Sequence, residues 1–563
     1  MFGLHPFAAA PFADAGVTSI DYSMTADAGS FALTGQAVDL NVGRKLTAAS
    51  GSFSLSGQAV DLDKALNITA ANGSFSFTGQ TVDLNKAVKL SAANGSFSLT
   101  GQTVDLNKTL NITAANGSFS LTGQAVDLDK AVKLSAANGS FSVSGQTVDL
   151  NKALNITAAN GSFSVSGQTV TLRLGKILVA NNGSFTLTGQ DFGFSKALNL
   201  QATSGTFTLS LQGAAKLITE VTPSGTFTVT GQDASLVKAV KLSANNGSFT
   251  LTGQTIDLDK ALNLSLDNGS FSTTGQEVDF GISESFQAGS FSLSGQTVDL
   301  TKALNITADT GSFNLSGQAV DLDKALNVSV DSGSFSVTGQ QADVNAAFNL
   351  SVDAGSFTLT GQDVIFRGGK VVEVDSGTFS VAGNAVTFNK NLNISLDIGS
   401  FGVIGQDTEL DANFNLSVDA GSFSISGQEL DFGISESFEA GSFTLTGQAA
   451  NLNKALNVAL DSGSFSLTGQ DATLLKDLNI SADNGAFSVT GQEIDVDISE
   501  SFEQGTFSLS GQAVDLFKAV KIFVDEGSFA LSGQDATFLK DLNISLDAGS
   551  FTLTGQEITE DIT

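Results

Sequence analysis

The chain has no cysteine and no tryptophan, one tyrosine, two methionines, three prolines and a single histidine, His5, in 563 residues. Without cysteine there is no disulfide, no thiolate nucleophile, no iron–sulfur cluster and no cysteine-ligated zinc. One histidine excludes a multi-histidine metal site and a repeated general base. His5 itself stands in an unrepeated stretch and reads as non-catalytic. Basic residues are scarce as well: 26 Lys and Arg against 57 Asp and Glu give a formal net charge of −31, which argues against binding nucleic acid through its phosphates. No run of about 18 apolar residues exists, so no transmembrane helix is expected. The opening, Met1 to Ala13, has no basic stretch, and Pro6 and Pro11 interrupt any apolar helix, so no secretion signal is read there. The expectation is a protein that leaves its cell by lysis or a leaderless route, or stays inside.

What the chain does have is glycine and phenylalanine, 60 and 43 residues. Charged residues are 15%, below the ~25% of ordinary soluble proteins, and a hydrophobic content of 41% is too high for a disordered acidic chain. The skew comes from a repeat, the first thing to seek in such a sequence. A Gly-(Ser/Thr/Ala)-Phe triplet occurs 25 times, from Gly29 to Gly549. Twenty of the 24 spacings are 22 residues; the other four, starting at Gly205, Gly269, Gly421 and Gly485, are 20.

In the unit from Gly51 to Asn72, with Gly51 as position 1, apolar residues stand at Phe53 and Leu55, then Val60 and Leu62, then Leu66, Ile68 and Ala70. Each run alternates with period two, as a strand with one buried face does. The parity switches at Gly57-Gln58, where one extra residue, as a bulge or corner, keeps both runs facing one side. Length varies only by two, which preserves the alternation that a change of one would invert. Gly281 stands where a shortened unit would need a tightened turn. Turn signals fall at the unit junction, as in Asn72-Gly73, where positive φ is expected, and near Asp63-Lys64.

Two all-β architectures fit. In the favoured one each unit is a coil of a parallel β-solenoid, with strands near positions 2–6, 8–12 and 15–21. Phe31, Phe53, Phe75 and Phe97 then begin an interior ladder that continues through all 25 units. Gly57 and Gln58 represent columns kept in 24 of the 25 units, and a column of Gln suits amide ladders between stacked strands. In the alternative each unit is an antiparallel hairpin pair of a long meander, with Ala70 opposite Phe75 across Asn72-Gly73. A meander leaves its apolar face in need of a second layer, whereas a solenoid buries that face within itself. At ~4.8 Å per strand the solenoid predicts a rod of about 120 Å and the meander about 240 Å.

Candidate chemistry is thin. Asp39, Asp61, Asp83 and Asp105 open a column of Asp found in 14 units. Carboxylates stacked about 5 Å apart are weak Ca²⁺ candidates, although a solvated face balanced by Lys64, Lys86 and Lys130 is the preferred reading and no cofactor is expected. Ser54 and Ser56 belong to hydroxyl columns of the kind that can order water, yet such residues are also ordinary outward strand residues. Sequons such as Asn67-Ile68-Thr69 follow from outward alternation and are read as unglycosylated. No cluster of unlike ionisable groups breaks the repeat, so no catalytic residues are assigned and no enzyme is expected. Residues 1–280 carry a net charge of −3 and residues 281–563 one of −28, which suits an attached base and a repelled, solvated tip.

The GSFxLTGQ pattern, as at Gly95–Gln102 and Gly247–Gln254, resembles tandem repeats of virion-associated proteins of bacteriophages, particularly of marine bacteria. The opening Phe2, Pro6-Phe7 and Pro11-Phe12 also resembles the starts of such proteins. The resemblance covers nearly the whole chain and implies a fibre or appendage role, with no catalytic residues to transfer. It implies residues 1–28 as an attachment segment or cap, 29–556 as a shaft and 557–563 as a tail. Phe2, Phe7 and Phe12 would dock into other virion proteins or copies of the same chain, and a homo-oligomer is expected. Location would be a virion or extracellular appendage. The other readings are a self-assembling extracellular filament or adhesin subunit and, behind it, a cation- or ice-binding surface protein.

Overall fold

Period-two alternation becomes three short parallel strands per repeat. In the coil that starts at Gly95 they are Ser96–Thr100, Thr103–Asn107 and Leu110–Ala114. Each pairs in parallel with its equivalent one repeat later: Phe97 with Phe119, Val104 with Val126, Ile112 with Leu134. The structure is a computed structural model. It describes residues 24–560 apart from short stretches, mostly where the second strand of a coil leads to the third and just before some Gly-Ser-Phe junctions. Among the described residues there is no helix. The chain divides into two compact units, residues 1–278 and 279–563.

Each unit is a parallel β-solenoid. In the second unit Ser312–Ser316, Ala319–Leu322 and Leu326–Val330 repeat the pattern, with Phe313 against Phe335, Val320 against Ala342 and Val328 against Leu350. Pairing of residues one full repeat apart, all parallel, excludes the antiparallel meander. A meander would have set Ala70 opposite Phe75; instead Ala70 pairs with Ala92 and Phe75 with Phe97.

The core follows the alternation. Phe97, Leu99, Val104, Leu106, Ile112 and Ala114 are each no more than 1% exposed. In some coils the first two strands are one, as in Ser52–Leu62, where burial alternates through Phe53 and Leu55, lapses at Gly57-Gln58 and resumes at Val60 and Leu62. There Gly-Gln is a bulge that absorbs one residue. In others the second strand runs into the third, as in Asp471–Ala482. Two of the shortened coils have a continuous strand in place of this corner. Leu474 pairs with Val496 and Leu478 with Ile498, so three residues oppose one and the strand Glu493–Phe502 is continuous. Gly281, expected at a tightened turn, likewise lies inside the continuous strand Glu277–Phe286.

The phenyl rings stack along the interior. Within the first unit the ladder runs from Phe31 to Phe271, with Phe163 and Phe185 4.7 Å apart at 10°. In the second it runs from Phe291 to Phe551, with Phe291 and Phe313 4.5 Å apart at 8°. Strand spacing dictates that separation, and rings held nearly parallel at it are offset rather than eclipsed; such a pair adds about 0.5–1.5 kcal/mol beyond area burial. Two expected boundaries move. Met24–Ala26 pairs with Leu46–Ala48, and Glu557–Glu560 pairs with Asp535–Phe538, so the alternation extends the stack into both the expected N-terminal segment and the expected tail.

The junction glycines are required for space rather than for φ. Junction glycines such as Gly51, Gly73 and Gly95 have no φ in the left-handed region. A Cβ on Gly73 would collide with the carbonyl oxygen of Gly51 and meet the Ala48 Cβ at 3.0 Å. The other column is less tight: a Cβ on Gly79 would sit 2.9 Å from the Gly57 and Thr81 carbonyl oxygens. Leu211 occupies that column, paired with Gly189 and Gly231. Gly73→Ala should therefore destabilise by about 1–3 kcal/mol, as overpacking does, and by more than Gly79→Ala; denaturant melts of both variants check the order. Two core positions carry threonine, Thr273 at 0% and Thr408 at 3% exposure, each with a hydroxyl that has no hydrogen-bond partner. An unsatisfied buried hydroxyl costs about 1–3 kcal/mol. Thr273→Val and Thr408→Val should each stabilise the chain by about 1 kcal/mol, read as a rise in melting temperature.

Candidate functional site

Because each strand repeats in register, every outward position becomes a column of like side chains, and the columns are the places where chemistry can occur. The corner before each Gly-Ser-Phe junction differs most between the two units. In the first unit it carries Asn72, Asn94, Asn116, Asn138, Asn160 and Asn182. Each side-chain amide donates to the oxygen of the one before: Asn94 to Asn72 at 2.9 Å, Asn138 to Asn116 at 3.0 Å, Asn182 to Asn160 at 3.1 Å. Main-chain bonds hold the rungs, with the Asn94 N–H donating to the Ala71 carbonyl at 2.7 Å. Beside the ladder runs an open groove of about 1320 Å³ lined by the Asn, Gly and Ser residues of successive coils.

The amide ladder is thus built by asparagine. Gln58 and its counterparts enter the stack through the main chain, the Gln80 N–H donating to the Gln58 carbonyl at 2.8 Å. Sequence reasoning treated Asn72 only as a turn residue. Its recurrence at one-repeat spacing in successive coils was the signal that could have identified it, the same signal that drew attention to Gln.

In the second unit the corner position one residue earlier, Ala71 or Ala93 in the first unit, is a column of exposed carboxylates, Asp331, Asp353, Asp375, Asp397 and Asp419. The backbone locks them one rung apart, the Ala354 N–H donating to the Asp331 carbonyl and the Ser376 N–H to the Asp353 carbonyl, both at 2.6 Å. A side-chain hydrogen bond with Asp397 raises the Asp375 pKa above the usual aspartate range, and slight desolvation and the Asp397 charge add to it. Asp495 is raised too, by burial first and then by the charges of Asp515 and Glu493.

The calcium candidates stack as the repeat dictates, Asp39 on Asp61, Asp61 on Asp83 and Asp83 on Asp105, and all four are half-buried. Among the described residues no group of three or more acidic or histidine side chains converges in a way that could hold a metal ion. The hydroxyl columns hydrogen-bond along themselves, Ser56 Oγ donating to Thr34 Oγ1 at 3.2 Å and Ser144 Oγ to Thr122 Oγ1 at 3.4 Å. Phe2, Phe7, Phe12, His5, Lys64, Lys86 and Lys130 lie outside the described residues.

A raised carboxylate pKa means the folded state binds the proton more readily than the unfolded chain. The fold therefore gains stability as pH falls through the raised value and loses it again as pH rises. Asp375→Asn should raise the melting temperature at neutral pH and leave it nearly unchanged near about pH 4, where wild-type carboxyls take up protons; thermal melts at the two pH values check both the sign and the loss of the difference. Comparison with known proteins finds no match: no family model, no curated protein and no solved structure is significantly similar to the chain.

Proposed function

We propose that the chain is a non-enzymatic fibre or appendage protein carried on a bacteriophage particle, with residues 29–556 and the strands paired at either end, Met24–Ala26 and Glu557–Glu560, as its shaft. The observation that supports this best is the parallel stacking of coil on coil within each unit, almost all of it in register. A solenoid whose repeats touch only their neighbours is a one-dimensional scaffold, and its outward columns repeat the same few polar residues instead of converging unlike groups on one point. In this reading Phe2, Phe7 and Phe12 seat the base in another virion protein or a neighbouring copy. The carboxylates of the second half keep the free portion solvated and repel other shafts, an effect that salt moderates.

Peptides of the chain should appear in the mass spectrum of gradient-purified particles at a fixed ratio to the capsid protein. Electron micrographs of the purified chain should show objects of one length at two concentrations. Absence from washed particles would end the virion reading. Fibres that lengthen with concentration would replace it with the filament reading, in which terminal strand edges pair end to end.

A further inference from the structure

Among the described residues of the second unit most outward columns stay polar or small from coil to coil; Ile365 and Val371 depart from this singly, and Ile398 and Ile404 depart from it together. The corner column reads Ser332, Ala354 and Ser376 and then Ile398; the last outward position of the first strand reads Thr338, Thr360 and Ala382 and then Ile404. Ile398 and Ile404 are 66% and 58% exposed, the two most exposed large hydrophobic side chains among the described residues. They flank one strand face, that of Ser400–Ile404. Between them the outward residues are Ser400 and Gly402; Gly402 stands where neighbouring coils carry a hydroxyl, and a Cβ built there would meet nothing within 4 Å. Ile398 lies at the bend before the strand and Ile404 is six positions further on, so at most about 20 Å separates them. Ile398 also lines an open groove of about 410 Å³ that continues over Ala420, Gly421 and Ser422.

The surroundings specify the charge of what binds. The carboxylates of Asp375, Asp397 and Asp419 pass beside Ile398 on consecutive coils, and Asp407 and Glu409 stand exposed on the strand after Ile404. A second copy of this face would bring carboxylates against carboxylates, and like charges across an interface are strongly disfavoured. A basic partner has the complementary charge. A flat strand face with an apolar side chain at each end and a glycine between suits an extended segment better than a helix, which presents its anchors on a curved surface.

We propose that this face binds an extended basic segment of a partner protein, with two apolar side chains up to about 20 Å apart, at most six residues of strand, resting on Ile398 and Ile404 and lysine or arginine side chains against the Asp375–Asp397–Asp419 column. The proposal is independent of the virion reading, because binding is measured on the isolated chain.

The test uses the full chain and a fluorescent synthetic peptide with two leucines six residues apart among lysines and threonines. Its controls are the same peptide with alanine for leucine, and with glutamate for lysine. Ile398→Ser combined with Ile404→Thr restores residues that neighbouring coils carry, so the repeat is preserved; an unchanged melting curve verifies this. Gly402→Thr keeps both isoleucines and fills only open space, which gives a second variant that does not depend on the first. Polarisation titrations should show the leucine–lysine peptide binding the wild-type chain at least tenfold more tightly than either variant. Binding should weaken with salt, as an electrostatic component requires, and both control peptides should bind less. Equal binding to wild type and variants would overturn the proposal, leaving only attraction to the carboxylate column. A wild-type dimer that the double isoleucine variant dissociates in sedimentation would overturn it in favour of a second copy.

Discussion

Everything in this protein depends on axial register. The main chain of each coil hydrogen-bonds to the equivalent residue of the next, so a side chain is always presented with a copy, or a near copy, of itself about 4.8 Å away. That constraint selects residue types more strictly than burial alone. A ring can stack on a ring at that spacing, and most successive phenylalanines within each unit do so, the Phe31–Phe53 and Phe97–Phe119 pairs being tilted instead. A carbonyl can accept from the amide one rung on. A Cβ at the junction cannot be accommodated at all, which is why Gly73 and its counterparts recur where the chain of one coil passes closest to the previous one.

Stacking in register is favourable for a column of neutral amides and costly for a column of carboxylates. The Asn72–Asn182 column turns register into a line of hydrogen bonds, each amide donating with one atom and accepting with the other. The Asp331–Asp419 column is placed by equivalent backbone bonds but has no donors of its own. Its members relieve their mutual repulsion only by solvation or by sharing a proton, and the upward shift of Asp375 through Asp397 is the outcome. The accompanying residues change as well: the buried Ala at the end of the third strand in the first unit, as at Ala92 and Ala114, becomes Val330, Val352 or Val374 in the second. The second unit thus combines a more apolar inner corner with a more repulsive outer one. Added burial, at roughly 25 cal/mol per Å², acts in the direction that offsets exposed like charges, which at high dielectric repel only weakly.

Strand positions, the inward set and the parallel stack were legible because the repeat length varies only by two and the apolar alternation is nearly unbroken. A change of a single residue would have turned the core outward, so sequences that keep the fold also keep the evidence for it. The exceptions have physical causes. Gly73 is compatible with either a positive φ or a close approach, and nothing in one sequence separates the two. Gln58 and Asn72 are equally capable of an amide ladder; which column forms one depends on how the side chain leaves the backbone at a bulge or at a corner. Gly281 suggested a tightened turn, but deleting two residues removed the turn and joined its strands. The candidate sites were less legible than the fold. Stacked Asp61 and Asp83 follow from periodicity whether or not an ion sits between them, and Phe2, Phe7 and Phe12, the residues expected to attach the chain, belong to a stretch whose sequence shares no periodicity with the rest.

In a repeat protein, therefore, departures from the repeat are more informative about partners than the repeat itself. A column that recurs in every coil is explained by stacking, because each copy supports the next. A side chain that breaks its column gains no such support. Thr273 and Thr408 break theirs inward, and each leaves a hydroxyl without a partner. Ile398 and Ile404 break theirs outward, at the two ends of one strand face, with Gly402 between them where the neighbouring coils have Ser380 and Ser424. Stacking does not account for an apolar side chain in water beside a row of carboxylates. A basic segment with its own apolar side chains would shield the isoleucines from water and counter the charge at once, and both features lie together beside one strand face.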